Sequence, residues 1–87
     1  MSNLKTVVSA ALETRGGKVT VSWAPWKANR GGWRSRSAWA PQGSLPEKLV
    51  ALAEGLLSIT TPSGDPFWVL VEVGSQTVFD GLGCVAK

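Results

Sequence analysis

The chain has 87 residues, which fits a single domain with one modest core, and its 44% hydrophobic and 17% charged residues argue against intrinsic disorder. It contains no histidine and one cysteine, Cys84, which argues against a structural metal site and excludes an internal disulfide. The net charge of +3 is unevenly distributed: residues 1–36 carry seven cations and one acid, a net +6, whereas residues 37–86 carry a net −4. This asymmetry predicts either an anionic partner for the first half or a contact between the basic half of one copy and the acidic half of another.

The compartment is predicted to be the cytoplasm. Apolar runs are only a few residues long, whereas a membrane helix needs about 20, and the first residues lack the pattern of a signal peptide. A lone cysteine also agrees with a reducing environment, although Cys84 leaves an intermolecular bridge open. We therefore expect one soluble domain over residues 1–87, with no cofactor and no membrane contact.

The first element is an amphipathic helix with its apolar stripe at Leu4, Val7, Val8, Ala11 and Leu12. Ser2 or Asn3 can cap its start. The glycine pair Gly16-Gly17 ends it, and Arg15 suits the negative end of the helix dipole.

Two alternating segments follow and predict a β-hairpin with a long basic tip. Residues 18–24 alternate between apolar and small polar side chains until Pro25, residues 27–32 are turn-forming, and residues 33–39 alternate again. We expect three tryptophans on the core side: Trp23, Trp33 and Trp39. We expect Arg34 and Arg36 to point outward, beside Thr20 and Ser22. Trp26 lies beyond the proline and is expected to be exposed.

A second helix is predicted from a capping box. Ser44 and Glu47 have its S-x-x-E spacing, with Pro46 in the first turn. Four leucines then form the buried stripe, at positions 45, 49, 52 and 56, and the helix is expected to end near Ser58. Gly55 costs about 1 kcal/mol against alanine in a helix interior, which suggests a close approach to another element.

The second hairpin is the strongest strand signal in the chain. Residues 67–73 are its densest β-branched and aromatic run, and Gly74-Ser75 before residues 76–79 has the glycine-first order of a type II′ turn. A simple register pairs Val73 with Gln76 and Val71 with Val78. The fold class is then α+β, in the order α-β-β-α-β-β, with an antiparallel sheet of about four strands (two β-hairpins) and two helices on one face.

The valine side of residues 67–73 is expected to pack on the helices. That arrangement leaves Trp68, Leu70 and Phe79 on the opposite face, where an apolar surface needs a cover. The cover could be the first hairpin, a ligand or a second subunit, and we expect a homodimer.

Catalytic signatures are absent. The chain has no G-x-S-x-G elbow and no phosphate-binding P-loop, and Cys84 has no histidine to activate it. Asp65 and Asp80 each lie beside or near glycine and are interpreted as solvated turn or strand-end carboxylates. We expect a protein that is not an enzyme.

The candidate ligand-binding residues lie in the first hairpin: Trp26, Lys27, Arg30, Arg34 and Arg36. Guanidinium forks match phosphates and indoles stack on bases, so this cluster predicts a small binding module for an anionic ligand, a nucleic acid or a phosphate-bearing nucleotide. A structural interpretation makes three of the tryptophans core and the cations a solvated face. The alternative function is a protein-interaction or inhibitor module, of the type that phages and mobile elements encode, on an acidic surface of a host protein.

Overall fold

A computed structural model describes residues 4–26, 32–62 and 64–83. Its elements in chain order are α1 (Leu4–Thr14), β1 (Gly17–Pro25), β2 (Arg34–Ala40), α2 (Glu47–Leu57), β3 (Phe67–Val73) and β4 (Gln76–Leu82). The predicted α+β class and element order are confirmed. Five residues named above lie outside the described ranges: Lys27, Arg30, Cys84 and the two candidate caps of α1, Ser2 and Asn3. No helix among the described residues is both long and apolar enough to span a bilayer.

The four strands form one antiparallel sheet in the order β2-β1-β3-β4. The two hairpins therefore lie side by side, with the first strand of each at the centre and the second at an edge. Helix α2 packs on β1 and β3, and α1 packs on β3 and β4, so both helices cover the same face. We call this the helix face. The other side, which no described helix covers, is the open face.

The core lies between the helix face and the two helices. The central strands contribute valines that are at most 7% exposed: Val19, Val21, Val69, Val71 and Val73. The helices contribute the other buried side chains, among them Leu4, Val8, Leu12 and Val50. Each such side chain stabilises the fold by about 1.5–3 kcal/mol when it is removed from water. The burial of the β3 valines against helix residues confirms the prediction that this side of β3 packs on the helices.

The register of the first hairpin reverses the predicted faces of β2. Trp39 pairs with Lys18, so odd-numbered residues of β2 share a face with even-numbered residues of β1. The prediction that Trp39 is a core residue is wrong, because its side chain is 78% exposed on the open face. Trp33, just before β2, is 49% exposed and is not core either. Only Trp23 packs against the core as expected.

The same register places Arg34 and Arg36 on the face opposite to the predicted one. They pair with Trp23 and Val21 and lie on the helix face, not outward beside Thr20. Alternation along a strand shows which residues share a face, but the pairing register decides which face that is. The predicted side of both arginines is therefore wrong.

A β-bulge changes the second hairpin. Val73 pairs with Gln76 as predicted, and Gly74 has the positive φ, +62°, that the first position of a type II′ turn requires. The register then shifts between Val71 and Glu72, so Val71 pairs with Phe79 instead of Val78. Phe79 consequently packs against the core on the helix face, and its predicted place on the open face is wrong.

Two local predictions about α2 are also wrong. The N-cap is Pro46, without a side-chain cap bond, and Ser44 instead donates its backbone N–H to Pro41 O at 3.0 Å. Gly55 approaches no other element, because a methyl group there would meet no atom within 4 Å. The close approaches occur at Gly16, where a methyl group would lie 2.7 Å from Ala40 O, and at Gly83, 2.9 Å from Leu57 O.

Candidate functional site: a groove between strand β2 and helix α2

A groove of about 610 Å³ opens on the helix face, between β2 and the first turns of α2. It exists because α2 packs on the central strands and covers the edge strand β2 only in part. The residues that line it are Trp23, Arg36, Ser37, Ala38, Pro46, Glu47, Lys48, Leu49 and Leu52.

The floor of the groove is apolar. Trp23 is half-buried and packs against the core, while Leu49 is buried and Leu52 half-buried on the facing side of α2. A planar or apolar group can therefore enter the groove between an indole and two leucines. Aromatic rings gain both area burial and stacking at such a position.

The rim of the groove is mainly cationic. Arg36 and Lys48 both line it and are exposed, and Arg34 stands on the same face directly opposite Trp23 in the register. The one acid among the lining residues is Glu47, in the first turn of α2. Three cations, Arg34, Arg36 and Lys48, outnumber this single carboxylate. The electrostatic potential is therefore positive where the groove meets solvent.

The start of α2 adds to this field. Pro46 caps the helix without a side-chain hydrogen bond, and its carbonyl accepts the N–H groups of Leu49 and Val50, both at 3.1 Å. The N–H groups of Glu47 and Lys48, in the same first turn, have no intrahelical acceptor by the geometry of a helix start. The positive end of the helix dipole therefore lies at the wall of the groove.

The structure brings together only part of the predicted site. Arg36 lines the groove and Arg34 stands beside it. Trp26 is exposed as predicted, at 46%, but it does not line the groove, and its backbone N–H bonds to Pro66 O at 2.9 Å. Lys27 and Arg30 lie outside the described residues, so their part in a site stays a prediction.

The participants that sequence reasoning missed include Trp23 as a groove residue and Lys48. The alternation in its strand predicts that Trp23 is a core residue. That pattern does not show that α2 leaves part of the indole uncovered at the groove. Lys48 reads as a solvated residue on the helix surface. Its position beside Arg36 depends on how α2 crosses the sheet, and no local pattern encodes that crossing.

The open face has a different character. Its described charged residues are Lys18, Glu72 and Asp80, which leave it slightly acidic. Trp68 donates its indole N–H to Asp80 Oδ1 at 2.7 Å, and the hydroxyls of Thr20 and Ser37 lie 3.1 Å apart across two strands. Trp68 and Leu70 do lie on this face, as expected.

No grouping of acidic or cysteine side chains within the described ranges could hold a metal ion. Comparisons of the chain with protein families, with curated proteins and with solved structures found no match.

Proposed function

We propose that this chain is a small non-enzymatic binding module that takes a phosphate-bearing nucleotide in the groove between β2 and α2. One observation carries the proposal: Arg36 and Trp23 line the same groove. A guanidinium and an indole can then contact the phosphate and the base of a single ligand.

The lining residues divide between the two ends of such a ligand. Arg36, Lys48 and the neighbouring Arg34 would hold the phosphate at the rim, supported by the start of α2. Trp23 and the leucines of α2 would enclose the base. Glu47 would accept hydrogen bonds from ribose hydroxyls or a base amino group, since its charge is unsuited to phosphate.

A mononucleotide fits these features better than a nucleic acid strand. The volume of about 610 Å³ falls within the roughly 300–1,000 Å³ typical of small-molecule sites. A long strand would also need a cationic track beyond the groove, whereas the described part of the open face is slightly acidic.

The test is an affinity series with a fluorescent adenine or guanine nucleotide, read by anisotropy. Arg36→Ala removes a charged hydrogen bond to phosphate, so the affinity should fall about 5- to 100-fold, which corresponds to about 1–3 kcal/mol. Arg15→Ala is the matched control, because it removes the same charge from an exposed position outside the groove. Its affinity should fall less than about twofold, as expected for a screened distant charge.

Equal losses for the two variants would show that only net charge matters and would contradict the site. A parallel titration with a labelled single-stranded oligonucleotide decides between the two anionic ligands. If the oligonucleotide binds and the mononucleotide does not bind measurably, the ligand is a nucleic acid strand and not a mononucleotide.

We further propose a homodimer through the open face, on the observation that Trp68 and Leu70 lie there, together with Leu82 at 41% exposure. Apolar side chains concentrated on one uncovered sheet face are typical of an interface. Light scattering at tens of micromolar should give twice the monomer mass, and Leu70→Lys should restore the monomer mass. A monomer mass for the unchanged protein would refute the dimer.

A further inference from the structure

Strand β2 lies at an edge of the sheet, and its pairing with β1 is regular along its whole length. Its seven pairs with β1 run from Gly17 opposite Ala40 to Trp23 opposite Arg34 without a register shift. The other edge, β4, is interrupted by a bulge, which is a common way to stop a further strand from pairing. Within the described residues, the β2 edge is therefore open to the addition of a strand.

The hydrogen bonds of β1 show which backbone groups of β2 are free. Gly74 N–H donates to Lys18 O at 2.8 Å, so Lys18 directs its backbone groups toward β3. In an antiparallel ladder these directions alternate, so Val19, Val21 and Trp23 direct theirs toward β2. Their partners on β2 bond back to β1. The residues between those partners direct their N–H and C=O groups outward: Ser35, Ser37 and Trp39.

The side chains of β2 specify which strand could add there. Arg34 and Arg36 stand two residues apart on the helix face, and Trp39 stands on the open face, 78% exposed. Directly opposed cross-strand pairs interact, favourably for opposite charges and unfavourably for like charges. A second copy pairing antiparallel over the full length of β2 would set the two arginines opposite alanines, Ala38 and Ala40, and would give neither arginine an opposite charge. The occupant of complementary charge is therefore acidic.

We propose that the β2 edge binds an extended acidic peptide by antiparallel strand addition. An apolar residue of the peptide lies opposite Trp39, and carboxylates three and five positions later lie opposite Arg36 and Arg34. Those two positions are non-hydrogen-bonded pairs, in which Cα atoms approach to about 4.5 Å and side chains are closest. The segment of this chemistry reads apolar-x-x-acid-x-acid. It would use the same two arginines as the nucleotide groove, but it differs from nucleotide binding because it depends on the outward backbone of β2.

The experiment uses a fluorescein-labelled peptide, Thr-Leu-Thr-Val-Glu-Thr-Glu-Thr, titrated with the full chain. N-methylation of its valine blocks an N–H that faces β2, whereas N-methylation of its first glutamate blocks an N–H that faces solvent. We expect the first change to weaken binding about tenfold or more and the second less than about threefold. Equal effects, or no binding of the unmodified peptide at millimolar protein, would overturn the proposal.

A variant of the chain gives the reciprocal test. Ser35→Pro removes an outward N–H and leaves the ladder with β1 intact, as proline is tolerated on an edge strand. Peptide binding should fall about tenfold or more, while the affinity for a mononucleotide stays within about twofold. Peptide affinity unchanged in a folded Ser35→Pro variant would overturn the strand addition; if that variant does not fold, the pair of N-methylated peptides decides. Failure of nucleotide binding alone would leave this proposal standing.

Discussion

Two glycine substitutions of the same size should change stability in opposite directions. Gly55→Ala adds a methyl group inside α2 at a point where no atom beyond the neighbouring helix backbone lies within 4 Å. Gly16→Ala adds the same group at a point where it would lie 2.7 Å from Ala40 O and 2.8 Å from Gln42 N, both backbone atoms. The first change only restricts the unfolded chain and improves helix propensity, whereas the second forces the end of β2 away from the end of α1.

The magnitudes follow from these surroundings. Gly55→Ala should stabilise the fold by about 0.5–1 kcal/mol, the usual difference between the two residues in a helix interior. Gly16→Ala should cost about 1–3 kcal/mol, as overpacking against backbone does. For a domain of this size 1 kcal/mol corresponds to about 4–8 °C in Tm.

The assay is thermal unfolding followed by circular dichroism at 222 nm, with urea unfolding as a check on the free energy. A rise in Tm for Gly55→Ala together with a fall for Gly16→Ala is the expected result. A fall for Gly55→Ala would mean that α2 packs against something at that position, and a neutral Gly16→Ala would mean that β2 does not approach α1. Either outcome would refute the packing described here. The stabilised Gly55→Ala chain also provides a background for groove variants.

Side-chain truncations should separate core from surface in urea unfolding. Trp23→Ala should cost about 3 kcal/mol because the indole packs against the core, whereas Trp39→Ala should stay within about 0.5 kcal/mol. Trp26→Ala should shift Tm by no more than a degree or two, since its side chain is 46% exposed. Trp68→Phe should cost about 0.5–1.5 kcal/mol through loss of the bond to Asp80, and Asp80→Asn should cost less because an acceptor remains. Reversal of the Trp23 and Trp39 effects would contradict the register of the first hairpin.

The elements of this fold could be predicted because each rests on a local signal. The leucine spacing after Pro46 predicts α2, and the glycine-first pair Gly74-Ser75 predicts the turn between β3 and β4. The residues of each signal lie close together in the chain, so the signal can be recognised without knowledge of the tertiary structure.

The faces of two strands could not be predicted, because a face depends on register. The register of the first hairpin pairs odd-numbered residues of β1 with even-numbered residues of β2. Trp39 therefore lies on the open face and Arg36 lies on the helix face, at the groove. One extra residue in β4 likewise turns Phe79 from the open face to the core. A shift of one residue reverses every side chain beyond it, and no alternation pattern within a single strand records that shift.

The sequence predicted a binding site of arginine and tryptophan, and the structure places only some of the predicted residues at the groove. An arginine and a tryptophan of the first hairpin line one groove, but the tryptophan is Trp23 and not Trp26. The third cation, Lys48, comes from α2, and its place follows from how that helix crosses the sheet.

The measurement that tests the nucleotide groove most directly is a ¹H–¹⁵N correlation spectrum of the labelled chain, recorded during titration with a mononucleotide. The indole N–H signals report the five tryptophans separately. The groove predicts that the indole signal of Trp23 moves together with the backbone amides of Arg36 and Lys48, while the indole signal of Trp39 stays in place. Movement confined to Trp39 and its neighbours on the open face, or no movement at millimolar nucleotide, would contradict the proposed function.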